Sequence, residues 1–293
     1  MTGASGTGNN INSDPHWGSP TPTHDPRILA SFKPRSTDVL ITTAPKAGTT
    51  WMQQILHQLR SDGDPSFDSI DNVVPWLELP RDNMSVTEVI DRFESISDPR
   101  IFKTHCTYEQ TPGTDIVKII LSSRDPRDCC VSFYHHVMDM TDEARKRVGF
   151  DQYHTLDDVF EAWLEYEAWY RNVHSWWPHY HDDNLLWLRF EDMKRSFDDS
   201  IDSIIDFLEW DIAPPHRRLA VEYSSFEWMK AHSEKFTRQA KSAKPTFKDG
   251  GFIRKGKVGD HKNKLSAQQE QRILEKARAM LEPECLEFLG IAG

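Results

Sequence analysis

The sequence predicts an α/β fold: a central parallel sheet flanked by helices on both faces, with a P-loop-like phosphate-binding turn. Short apolar runs alternate with amphipathic stretches from Asp38 onward, and an early strand–turn–helix carries a lysine and a glycine in its turn. No repeat period or composition break divides the chain. Alternating strands and helices imply crossover connections, and therefore parallel strands covered by helices. Residues 1–26, rich in Gly, Asn, Ser, Thr and Pro, read as a flexible N-terminal tail in which Trp17 is the one candidate anchor, and 27–293 as a single domain.

The first strand is the apolar run Val39, Leu40 and Ile41. The chain then turns through Ala44, Pro45, Lys46, Ala47 and Gly48 into a helix beginning at Thr49 or Thr50, with Met52, Ile55, Leu56 and Leu59 on its apolar face. Residues 100–104 read as a short strand, 116–123 as a stronger one, and 127–138 as helical. A long amphipathic helix is expected over 156–177, with Val159, Phe160, Trp163, Tyr166, Trp169, Tyr170, Val173 and Trp177 near one face. A buried strand over 184–190 and helices over 196–208 and 266–281 complete the pattern. Residues 234–264 lack periodicity and hold a local basic run, Phe252-Ile-Arg-Lys-Gly-Lys-Val-Gly-Asp260, so this long loop reads as functional.

The turn around Lys46 is an anion site by construction. Unpaired backbone N–H groups and the positive end of a helix dipole converge there, Lys46 adds a full charge, and Thr49 and Thr50 are placed to cap the helix or donate hydroxyls. A nucleotide triphosphatase loop needs its lysine after the second glycine of Gly-x-x-x-x-Gly-Lys-Ser/Thr, whereas Lys46 precedes Gly48. A phosphate ester is therefore expected, without support for ATP and magnesium. Two further anion elements are Arg124, with Ser132 on the following helix, and Arg254 with Lys255 beside Gly256. Three separated elements imply a ligand with well-separated phosphates.

At 293 residues, 38% hydrophobic and 28% charged, the chain has ample length for a core. A net charge of −11 argues against general nucleic-acid binding. The four cysteines (Cys106, Cys129, Cys130 and Cys285) show no CxxC spacing and are expected to be reduced and buried. No apolar run suits a signal peptide or a membrane span, so a soluble, cytoplasmic protein is expected. No His, Asp and Glu set shows ligand spacing, so no metal is expected. Of the thirteen histidines, His135, His136, His179 and His181 read as ordinary core or surface residues. The adjacent pairs Asp157-Asp158 and Asp198-Asp199 read as helix N-terminal charges.

Three motifs together resemble the cytosolic sulfotransferase family: Ala44-Pro-Lys-Ala-Gly-Thr-Thr-Trp51, the segment 124–136, and Arg254-Lys-Gly-Lys-Val-Gly-Asp260 with Lys262 and Asn263. Val74-Pro-Trp-Leu-Glu78, Phe102-Lys-Thr-His105, residues 169–177, Phe190-Glu-Asp-Met-Lys194 and Ser224-Ser-Phe226 support the match over roughly residues 30–285. The resemblance implies transfer of a sulfuryl group from 3′-phosphoadenosine 5′-phosphosulfate (PAPS) to a hydroxyl or amine of a small-molecule acceptor. The product is 3′,5′-adenosine bisphosphate (PAP), and no metal takes part.

By the same resemblance, Lys46, Lys103, His105 and Ser132 are catalytic, with His105 as general base. Lys46, Gly48, Thr49 and Thr50 would hold the 5′-phosphosulfate, and Ala47 would also bind the nucleotide. Trp51 and Phe226 would flank the adenine, with Phe190 facing it, and Ser224, Ser225 and Met229 would also bind the nucleotide. Arg124, Ser132, Arg254, Lys255 and Gly256 would hold the 3′-phosphate, and Phe252 and Ile253 would also bind the nucleotide. Trp76, His105, Phe133 and Tyr134, with segments 138–155 and 233–250, would form the acceptor pocket. The chain departs from the family at Ala47 (usually serine), Phe190 (tyrosine), His261 (tryptophan) and Leu265 (phenylalanine), and its dimerisation pattern survives only as Lys262 and Ser266, which leaves a homodimer open. Two alternatives stand beside this reading: a P-loop-type kinase or nucleotide triphosphatase, and a catalytically silent nucleotide-binding module.

Overall fold

A computed structural model describes residues 17–237, 246–248 and 252–292. Four strands, β1 (Val39–Ile41), β2 (Ile101–Lys103), β3 (Lys118–Ser123) and β4 (Leu185–Arg189), form one sheet in the order β2-β1-β3-β4. Every pairing is parallel, with Leu40 opposite Phe102 and Ile119, and Leu121 opposite Trp187.

Strand residues alternate between two cores, as a period of two requires when both faces are covered. Leu40, Ile119 and Leu121 join Trp169, Tyr170, Trp176, Ile273 and Ala277 on one face. Val39, Ile41 and Ile120 join Met52, Ile55, Leu56, Leu59, Ile201 and Ile204 on the other. At the strands' N-terminal end, the fully buried Arg100 grips Asp38 through Nε (2.8 Å) and Nη2 (2.6 Å), tying the entries of β1 and β2 together. Breaking such a buried pair by removing one partner typically costs about 3–5 kcal/mol.

The helices Thr49–Arg60, Pro126–Asp139, Phe197–Leu208 and Ala267–Met280 lie where the sequence places them. The long helix expected over 156–177 is instead two, Leu156–Tyr166 and Ala168–Trp176, joined at Glu167 with φ 55°. The Glu167 carboxylate takes Lys276 at 2.6 Å and Arg171 at 3.1 Å, so long-range and local ion pairs hold the break. Tyr166 consequently turns outward and is 53% exposed. Phe190, expected to end a strand, opens the helix Phe190–Arg195. Asp157, Asp158, Asp198 and Asp199 do sit in helix first turns, and Asp158 closes a capping box with Thr155. All four cysteines are free and buried. Of the expected tail, residues 1–16 lie outside the described residues. Residues 18–24 run along the cavity described below, and Pro26 opens the helix Pro26–Ser31, capped by Asp25.

Candidate active site

With strand order β2-β1-β3-β4, the chain leaves β1 for one side of the sheet and returns to β3 on the other. The crevice at the C-terminal ends of β1 and β3 is the switch point where open α/β sheets place ligands. The Lys46 turn follows β1 and Arg124 follows β3. Lys46 and Gly48 both take positive φ, 69° and 104°, and the Ser122 hydroxyl of β3 donates to the Ala47 carbonyl (2.9 Å), anchoring the turn to the sheet. Gly48 itself is the N-cap of Thr49–Arg60, without a side-chain cap bond. Thr49 and Thr50 are therefore first-turn residues rather than caps, and the open N–H groups of that turn remain available to an anion.

Beside the turn lies a cluster of nitrogen bases. Lys46 Nζ is 3.1 Å from His136 Nδ1, contributed by the helix Pro126–Asp139 one turn beyond Ser132. Desolvation, and then the charges of Lys103, Arg124 and Arg254, pull the Lys46 ammonium down to about 7. His105 donates Nδ1–H to the Thr43 carbonyl (2.7 Å), which leaves the Nε2 lone pair unprotonated, and its backbone N–H donates to Glu78 Oε1 at 2.9 Å. Burial first, then the Lys103 charge, push the imidazole down to about 3, so it is neutral at any physiological pH. Trp76 stands edge-on to His105 with centroids 5.1 Å apart, and Lys103, the last residue of β2, lies 4.3 Å from the centre of the Trp76 ring.

A second basic end lies against the 252–260 loop. Arg124 Nη2 donates to the Lys257 carbonyl (2.7 Å) and lies 3.3 Å from Asp128, with its guanidinium 4.6 Å from the Phe190 ring centre. Arg254 and Lys255 are both paired with Asp260, at 2.6 and 3.1 Å, rather than standing open as the sequence suggests. Even so, Arg124 Nε and Arg254 Nη1 are buried without a hydrogen-bond partner. Buried N–H donors of this kind cost free energy unless something fills their place. Gly256, at φ 55°, lies so close to Phe226 that a Cβ would come within 2.8 Å of its ring. Trp51 donates Nε1–H to the Ser224 carbonyl (2.8 Å), stacks on Phe197, and meets Phe190 edge-on at 5.5 Å.

One cavity of about 870 Å³ joins these parts. Lys46, Gly48, Thr49, Thr50, Trp51, Trp76, Lys103, His105, Arg124, Ser132, Phe133, Phe190, Phe226, Met229, Phe252, Ile253, Arg254, Lys255 and Gly256 all lie on its wall. Four expected site residues do not. Ala47 is buried beneath the turn, and Tyr134 packs with Val137 and Tyr153 in a side cluster. The Ser224 side chain is buried, while Ser225 caps the helix Phe226–Ala231. Met140, Val148, Phe150, Phe236 and Phe247 supply wall from the expected acceptor segments; residues 238–245 and 249–251 lie outside the described residues.

Several wall residues were not anticipated. His136 was read as an ordinary histidine, although its i+4 spacing from Ser132 puts both on one helix face. Lys194 lies 5.7 and 5.8 Å from the Trp51 and Phe226 ring centres. Residues 18–24 close one side, and nothing local in that polar segment signals it. Among the described residues, no group of three or more His, Cys, Asp or Glu has metal-holding geometry, and no helix is long and apolar enough to cross a membrane.

Comparison with known proteins gives the family and the fold. The sulfotransferase domain family matches residues 36–282. The chain is 30% identical to the amine sulfotransferase of Oryctolagus cuniculus over 258 residues, covering 84% of this chain and 81% of the relative. It is 31% identical to sulfotransferase 1 family member D1 of Mus musculus over 267 residues, covering 89% and 88%. The crystal structure of mouse sulfotransferase SULT7A1 complexed with PAP shares the fold, with TM-score 0.69 and 24% identity over 97% of this chain and 95% of that one. A lysine-bearing turn, a neutral histidine and a separate pair of arginines thus share one cavity in a chain that belongs to the sulfotransferase family.

Proposed function

We propose that this sulfotransferase takes PAPS as donor and passes its sulfuryl group to a hydroxyl or amine of a small-molecule acceptor. One observation carries the reading: buried, unpartnered Arg124 Nε and Arg254 Nη1 lie on the same cavity as Lys46 and His105. The residues fit a nucleotide with a 3′-phosphate. Arg124 and Arg254 would hold that phosphate, Gly256 lets the loop approach Phe226, and Trp51, Phe190 and Phe226 provide aromatic surface for a base. The turn 44–50 would hold the 5′ end. When bound, the donor supplies a sulfuryl group joined to a phosphate that leaves as an anion.

The chain's own residues then have separable tasks. Lys46 and the N-terminus of Thr49–Arg60 present positive charge where negative charge develops on the leaving oxygen, a contribution of roughly 3–4 kcal/mol for such donors. His105, held by Thr43 in the tautomer with a bare Nε2, takes the acceptor's proton. Its low proton affinity reflects burial first and the charges of Lys103 and Lys46 after it, and an anion beside those charges offsets their share. Lys103 lies over the Trp76 ring at the acceptor side. Apolar walls from Phe133, Phe150 and Phe247 suit an acceptor with a hydrophobic body. The triphosphatase alternative is disfavoured by the order of Lys46 and Gly48, and the silent-module alternative by the assembled Lys46, Lys103 and His105.

The test is incubation with ³⁵S-labelled PAPS and a panel of phenols, alcohols, steroids and amines, without added magnesium. In parallel, PAP is expected to stabilise the protein by roughly 3 kcal/mol at a hundredfold excess over its dissociation constant. AMP, lacking the 3′-phosphate, should do far less. Equal stabilisation by both nucleotides refutes the 3′-phosphate assignment.

A further inference from the structure

The His136 side chain meets the Lys46 ammonium within hydrogen-bond distance, and the sulfuryl-transfer reading assigns it no task. Its Nδ1 is 3.1 Å from Lys46 Nζ, while its ring is packed 4.9 Å from Phe247 and 6.1 Å from Phe252. An ammonium donates and accepts nothing, so whenever Lys46 is charged the contact requires an unprotonated Nδ1. The surroundings keep the imidazole neutral, which permits that tautomer: burial, then Lys46, Lys103 and His105, drive His136 well below its ordinary range. The aromatic packing fixes which ring edge faces the lysine, and the positive φ of Lys46 fixes where its side chain starts.

We propose that His136 is a positioning residue for Lys46, presenting Nδ1 as the acceptor that holds the lysine in its ammonium form until an anion takes over. This rests on the sulfuryl-transfer reading for its purpose, though not for its geometry. Lys103, Arg124 and Arg254 each oppose a charge on Lys46. The neutral His105 and the Cys129 thiol, which burial keeps protonated, give no net negative charge against them. Asp139, on the same helix as His136, is itself pushed upward by burial while Lys46 draws it down. A hydrogen-bond acceptor at Nδ1 therefore joins the Asp139 charge in favouring the charged lysine before any ligand arrives. Removing it should lower the Lys46 midpoint by about one pH unit, the scale of one hydrogen bond to a charged group.

The experiment uses the full chain with ¹³C,¹⁵N-lysine, the Lys46 resonance being assigned by its loss in Lys46→Ala. Lys46 is titrated in the free protein of wild type, His136→Phe and His136→Asn. Phenylalanine matches the Phe247 and Phe252 surroundings but has no acceptor, whereas asparagine places an oxygen where Nδ1 was. Wild type should titrate near pH 7, His136→Phe about one unit lower, and His136→Asn close to wild type. The alkaline limb of kcat/KM for the donor should move with the titration, while KM for the acceptor changes less. A His136→Phe midpoint equal to wild type, or a His136→Asn midpoint equal to that of His136→Phe, overturns the proposal. The titration needs no donor, so it decides the role of His136 even if PAP binding fails and the donor assignment falls.

Discussion

Replacing Gly256 with alanine separates two demands made on the 252–260 loop. Gly256 sits at φ 55°, and a Cβ there would come 2.8 Å from Phe226 Cδ2 and 3.0 Å from Cε2. The backbone share of the cost, a non-glycine residue in the left-handed region, is roughly 1–2 kcal/mol. Displacing a packed ring adds about 1–3 kcal/mol. A free loop can relax both strains by moving, but a loop closed on the nucleotide cannot, so the cost appears in affinity. The sum of about 2–5 kcal/mol corresponds to PAP binding weaker by roughly thirtyfold or more. Gly259→Ala is the matched control: it has φ 79°, but its nearest neighbour would be Lys262 Cε at 4.0 Å, so it carries the backbone share alone. Calorimetric titration of PAP into wild type and both variants measures the difference. If Gly256→Ala binds as Gly259→Ala does, Phe226 and Gly256 do not form one wall of the nucleotide site.

His105→Ala should reduce transfer by about 10²–10⁴-fold while leaving PAP affinity nearly unchanged, with a smaller loss for an acidic nitrophenol than for a plain alcohol; transfer to the alcohol at the wild-type rate would show that another group is the base. Arg124→Met keeps an apolar stem against Phe190 but removes the buried guanidinium, so PAP should bind about 10–100-fold more weakly and AMP almost normally; a parallel loss for both nucleotides would place Arg124 elsewhere. Lys46→Ala should lower turnover at saturating donor by roughly 3–4 kcal/mol of barrier, and by much more than it lowers PAP affinity; unchanged turnover would make Lys46 a binding residue only. His57, edge-on to Phe67 and pushed down to about 4 by burial and then by Arg60, stays neutral in the fold where the unfolded chain takes up a proton. Its contribution is complete above the unfolded value of 6.5 and is lost as pH falls through about 4, up to about 3 kcal/mol. Denaturant unfolding of His57→Gln against wild type over that window should show a flatter acid slope, and an identical slope would refute the assignment.

The sequence by itself determined the parts whose causes are local. Val39, Leu40 and Ile41 are apolar and lead straight into Pro45, Lys46 and Gly48, so a buried strand, a tight turn and a helix start follow without tertiary information. Arg124 was legible for the same reason, standing one residue past a strong strand. Where the periodicity ran unbroken through 156–177, with no glycine or proline to interrupt it, one long helix was the natural reading. Only the Lys276–Glu167 contact, spanning more than a hundred residues, shows why it breaks. Tertiary structure alone decided which charges are left for a ligand. Asp260 already holds Arg254 and Lys255, yet Arg254 Nη1 and Arg124 Nε stay unsatisfied, a balance that depends on atoms rather than on a basic run. It also brought His136 to Lys46 across ninety positions of chain. A pattern of residue types reports which face of an element is buried; what that face meets is set by the sheet order that folds β1 and β3 side by side.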